Sequence, residues 1–313
     1  MRRGSLESLV VILLVLSSLA SGEARAQLSQ KEKVQLLEES KRSLESNIAS
    51  IRRALTSGMS DADQAFEKRV TYRVPLQDGV QSPFANIVDG AMTINTPVGF
   101  GRALEMLTDA QVIGQLYNRP ELFDRYVAYT CEREFENERR VKSGQAPLFI
   151  KAPYAFIGWR DADLDRFDKN ASATALRGKV LTSALCWVIG HELAHHYLGH
   201  SRHRPATLAQ SRENEAAADD QATKWMVQAH IMPIGAAIPL LYFYNIDSDS
   251  LAVESTRRHP ADIKRLRGAF QEMLDAMPVF RADIEASGQS YSEQRRNLQV
   301  AIAQMDDEIR AGH

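Results

Sequence analysis

Charge imbalance, cysteine and a membrane-length apolar run are scarce or missing in this sequence. Its 38 lysines and arginines against 40 aspartates and glutamates leave a formal charge of -2. Neither a nucleic acid nor an anionic membrane surface is the implied partner. Only two cysteines occur, Cys131 and Cys186. In an oxidising compartment they could pair, but Cys186 sits inside an apolar run, where a buried free thiol is an equal reading. No stretch after residue 26 reads as a membrane span. The most apolar one, 231–246, is interrupted by Pro233 and Pro239 and reads as a core helix.

The one strongly apolar run lies at the start. Arg2 and Arg3 precede the run 9–20, and Ala24-Arg25-Ala26 forms an A-x-A cleavage site before Gln27. Residues 1–26 therefore read as a secretory signal peptide, which predicts a periplasmic mature chain. The run is short for a span of about 20 residues, and an uncleaved inner-membrane anchor is the alternative. No cysteine lies near the site to take a lipid, and the twin-arginine pattern is incomplete.

With 313 residues and 44% hydrophobic content, the chain can bury one good core and still carry appendages. Residues 27–70 read as a helical segment with a coiled-coil-like seam of Val34, Leu37, Leu44, Ile48, Ile51 and Leu55, broken at Gly58. Residues 281–313 read as a second such helix, with Tyr291, Leu298, Ile302, Met305 and Ile309 in its seam. A narrow seam needs a cover, so the two helices are expected to pair with each other or with a partner or second copy. Between them, 71–280 is assigned as the main domain. Within it, 70–74 and 91–95 read as short strands, and 101–117 and 120–141 as helices. The stretch 148–159 reads as extended, ending before the helix that carries the histidines.

The chemistry concentrates in His191-Glu192-Leu193-Ala194-His195. Helical spacing of four puts both imidazoles on one face about a turn apart, which suits two corners of a zinc tetrahedron. Glu192 beside them can act on a metal-activated water. Leu181, Ala184 and Val188 continue the histidine face as an apolar stripe, and Gly199 marks the helix stop. Downstream, Glu215 and Asp219 share a face of another helix-forming segment. Glu215 can supply a third ligand, with a carboxylate behind it to orient an imidazole. Glu213, about 200° of helical rotation away from Glu215, points elsewhere. His196, His200 and His203 read as surface or supporting residues, since the spacing of His200 does not suit a third ligand of the metzincin kind.

H-E-x-x-H followed by E-x-x-A-D-x-x-A (Glu215, Ala218, Asp219, Ala222) resembles the M-forty-eight metallopeptidases. Met232-Pro233 and the H-P-x-x-x-x-R of His259, Pro260 and Arg265 match that family's later elements. The resemblance covers roughly 180–270. It implies an α+β, predominantly helical, zincin-like fold with helical extensions at both ends, and one Zn2+ per chain on His191, His195 and Glu215. It also implies catalysis by Glu192, with Asp219 hydrogen-bonded to His191. His259 is either a donor to the oxyanion or a structural residue before a Pro-started helix. The expected function is zinc-dependent hydrolysis of peptide bonds in exported or envelope proteins. The alternative is a zincin-fold periplasmic binding or chaperone protein with latent or no proteolysis.

Overall fold

In the computed structural model, residues 30–77, 82–203, 205–247 and 262–311 are described. The chain runs α1 (Gln30–Thr56), α2 (Asp61–Glu67), β1 (Thr71–Arg73), β2 (Phe84–Val88), β3 (Ala91–Asn95), α3 (Val98–Leu116) and α4 (Leu122–Lys142). It continues through α5 (Pro153–Phe156), α6 (Asp161–Asp168), α7 (Ala171–Tyr197), α8 (Leu208–Gln228), a 3-10 turn (Pro233–Ala236) and α9 (Ala237–Asp247). The last elements are α10 (Asp262–Ala276), a second 3-10 turn (Met277–Phe280), α11 (Arg281–Ala286) and α12 (Tyr291–Ala311). The fold is α+β and predominantly helical, with one three-stranded sheet of order β1-β3-β2. The signal-peptide assignment at 1–26 falls outside the described residues. No described helix is long and apolar enough to cross a membrane.

The chain divides into two compact units. The first takes in residues up to Ser50, Val74–Ser82 and Thr96–Thr182. Within it α3 packs on α4, and Val112, Ile113 and Leu122 close on Phe167 and Ala173. Leu44 of α1 lies against Gly101, whose missing Cβ lets the leucine sit there: a Cβ would be 2.7 Å from Leu44 Cδ2. The predicted extended stretch at 148–159 is corrected here. No strand forms; 148–152 is irregular and Pro153 opens α5. The reason is that side chains satisfy this backbone in place of a sheet. Asn137 accepts from Leu148 N (2.5 Å) and donates to its carbonyl (3.0 Å). Tyr129 accepts from Lys151 N, and Tyr126 donates to its carbonyl.

The second unit holds Ile51–Arg73, Pro83–Asn95 and Ser183–His313. Strands β1 and β3 form where the alternation predicted them. The intervening β2 pairs antiparallel with β3 from Phe84↔Asn95 to Val88↔Ala91. Its turn is made by Asp89 and Gly90, both at positive φ. Helix α2 starts at Ser60, whose side chain accepts from Asp63 N, and α8 starts at Thr207, whose side chain accepts from Gln210 N. Helix α10 touches α8, α9 and α12. The seam of α12 is thereby covered from within its own unit: Ile302 joins Leu274, Met277, Phe280 and Ile284, with Leu298 and Tyr291 at the margin.

Two small residues set how closely the site-bearing helix is approached. A Cβ on Gly235 would lie 2.2 Å from Ala184 N, so the 3-10 turn rests directly on the α7 backbone. Ser183 locks that contact, its hydroxyl donating to Met232 O (2.7 Å) and accepting from Gly235 N (2.8 Å). At Gly190 a Cβ would sit 3.2 Å from Ala222 Cβ, which lets α8 lie against α7.

Candidate metal centre

Helices α7 and α8 together carry the predicted ligands, all within the second unit. His191 and His195 leave one face of α7, and their Nε2 atoms are 3.1 Å apart. Glu215 on α8 reaches both, with Oε2 3.5 Å from His191 Nε2 and Oε1 3.4 Å from His195 Nε2. A tetrahedron with corners about 2.0–2.1 Å from its centre has edges of about 3.3–3.4 Å. The two imidazole nitrogens and the Glu215 carboxylate thus gather on that scale, with one ligand atom from each within 4.8 Å of the others, a set suited to a divalent cation. Glu215 is buried and Glu213 is exposed, as the rotation between them requires.

Behind the ligands lies a layer of charge. Asp219 Oδ1 is 2.7 Å from His191 Nδ1, an ion-pair distance off the line of an aligned N–H bond. Arg265 of α10 grips the same carboxylate twice, Nε to Oδ2 at 2.9 Å and Nη2 to Oδ1 at 2.8 Å. Its Nη1 is 3.6 Å from Glu215 Oε2. Burial works against ionised Asp219, but Arg265 and His191 outweigh it and hold its pKa below the ordinary carboxylate value. Burial likewise opposes a charge on His191, yet Asp219 and Glu215 raise it to about 10. A proton and a cation are alternative occupants of such a pocket. Trp187, one turn before His191, stacks on its ring at 5.5 Å.

Glu192 points off the ligand face, 8% exposed, and among the described residues no hydrogen bond or ion pair takes up its carboxylate. His259 lies outside the described residues. Tyr242 is buried in the core. Neither cysteine competes as a nucleophile: Cys131 and Cys186 form no disulfide and are buried, and burial pushes each thiol up to about 12.

For three further residues the sequence left the partner open. Arg265 was visible as part of a motif, but its pairing with Asp219 spans 46 residues and needs the packing of α10 on α8. His196, read as a surface or supporting residue, is fully buried and ties α7 to the sheet. Its Nε2 donates to the Thr93 carbonyl (3.0 Å), so Nδ1 accepts from Ser201 Oγ (2.6 Å). Burial and the neighbouring His195 lower its pKa, which keeps it neutral. His200 reaches His195 itself, Nδ1 to Nδ1 at 3.1 Å.

One buried and one half-buried imidazole, a carboxylate facing both and a glutamate unengaged among the described residues are the components of a hydrolytic type of centre. Residues 157–276 match the family model of Peptidase U49. The matched stretch contains every residue of this site. It supports a peptidase family, though not the M-forty-eight family specifically, since Peptidase U49 is a different one. No curated protein and no solved structure matches the chain.

Proposed function

We propose that this protein is a zinc-dependent endopeptidase, exported through its N-terminal segment, that cleaves exported or envelope proteins. The observation that carries the reading is the convergence of His191, His195 and Glu215, with the two Nε2 atoms 3.1 Å apart and one Glu215 oxygen 3.5 Å from His191 and the other 3.4 Å from His195. Bound there, zinc supplies a Lewis acid for the scissile carbonyl and lowers the pKa of a water to about 7. Glu192 stands next to the ligands with a carboxylate unengaged among the described residues, takes the proton from the attacking water and returns it to the leaving amine. Asp219, neutralised by Arg265, holds the ring of His191 in register.

An extended peptide binds most simply by adding to an unpaired strand. With 148–152 irregular, the sheet offers β1 and β2 as its outer strands, and β2 is the longer. Strand β3 beside it is tied to the ligand helix through Thr93 and His196. The test is metal analysis of the purified protein together with cleavage of an unfolded substrate such as casein. About one zinc per chain and turnover abolished by a chelator are expected. Turnover that survives complete metal removal would end the proposal, and metal without turnover would favour a binding role.

A further inference from the structure

We infer that His200 is a positioning residue of the metal centre, delivered by the C-terminal cap of α7 to hold His195 as a ligand. The inference rests on the ligand set proposed above. A histidine that binds a cation through Nε2 carries its proton on Nδ1, and that N–H needs an acceptor to fix the ring. For His191 the group facing Nδ1 is Asp219, with Oδ1 2.7 Å away. For His195 the neighbour is His200 Nδ1, 3.1 Å away, with the rings edge to face at 65°. Since His195 Nδ1 donates, His200 Nδ1 accepts, and a neutral His200 then carries its own proton on Nε2.

The local backbone is built to produce this contact. Five residues beyond His195 on a continuing helix, His200 would be turned about 140° away. Gly199 instead adopts φ +80, a conformation that costs a residue with a Cβ about 1 kcal/mol or more. The helix ends there, with Leu198 N bonding Ala194 O (2.8 Å) and Gly199 N bonding His196 O (3.1 Å). The reversed chain carries Ser201 N back to the carbonyl of His195 itself, at 3.3 Å. Ser201 Oγ meets His196 on the next position. The cap therefore serves two neighbouring histidines at once: His200 for the ligand, and Ser201 for the one that anchors the helix to β3.

The two ligand histidines are thus held differently, one by an ion pair and the other by a neutral ring. Asparagine places Oδ1 where histidine places Nδ1, so H200N retains an acceptor and H200A does not. The experiment is zinc affinity of full-length wild type, H200A and H200N by competition with a chromophoric chelator, beside helix content and melting temperature of the metal-free proteins. H200A should bind zinc about 10- to 100-fold more weakly with an unchanged metal-free fold, and H200N should recover most of that loss. If H200A does not fold, H200M, similar in bulk and without a strong acceptor, takes its place. Equal affinity in wild type and the acceptor-free variant overturns the role of His200 while leaving the ligand set standing. Wild type that binds no zinc overturns the ligand set, and this inference with it.

Discussion

Two residues of rotation on α8 separate a buried carboxylate from a solvated one, and the chemistry of the site depends on that difference. Glu215→Ala should lose zinc and turnover together, while Glu213→Ala should keep both, since Glu213 is exposed. Glu192→Gln should retain the metal and the fold and lose hydrolysis, because only the proton acceptor is removed. Metal content and peptide turnover of the three variants decide this; full activity in Glu215→Ala would exclude it as a ligand. The thiols make a second prediction at this scale. With both cysteines buried and their pKa values near 12, iodoacetamide on the native protein should leave turnover intact. Rapid inactivation matched by labelling of Cys131 or Cys186 would point to a different nucleophile.

Between elements, the contacts that align the site are close and backbone-mediated. Adding a methyl at Gly235 forces the 3-10 turn away from Ala184 and breaks the two bonds of Ser183. Gly235→Ala should destabilise by about 2–4 kcal/mol, read as a lower urea midpoint. In the same unit, Ile302→Asp should cost a comparable amount by burying an unpaired charge in the cluster of α10, α11 and α12. Wild-type midpoints in both variants would mean these contacts do not order the elements. The seam of α12 was legible as a seam. Its cover was not, because a row of apolar residues records the need for a partner and not which of several apolar faces supplies it.

For the whole molecule, pH dependence offers a test independent of the metal. In the first unit, Glu105 has its pKa raised to about 7 by burial and by Asp109, against the opposing pull of Arg177 and Arg102. Between its ordinary value of 4.5 and about 7 the folded chain holds a proton that the unfolded chain releases. Stability from this group is therefore complete below about pH 4.5 and is lost as pH rises through about 7. Glu105→Gln should raise the melting temperature at pH 8, by an amount equivalent to at most about 3 kcal/mol, and the gain should vanish near pH 4. A constant difference across that range would place Glu105 in water in the folded state. The export proposal is tested by sequencing the N-terminus of protein recovered from the periplasm, which should begin at Gln27.

What the sequence determined by itself is what local periodicity and chemistry encode. Four-residue spacings placed His191 with His195 and Glu215 with Asp219 on single helical faces, and alternation marked β1 and β3. The helical class followed from the abundance of good helix formers. Tertiary structure decided everything that joins residues far apart in the chain. The 148–152 stretch lost its strand because Asn137, Tyr126 and Tyr129 bond its backbone, which no propensity at 148–152 records. Arg265 became the partner of Asp219 only where α10 packs on α8. His200, which helical geometry alone turns away from the site, came back to His195 because Gly199 reverses the chain. Spacing sets which face of an element a side chain occupies, whereas long-range packing sets what that face meets.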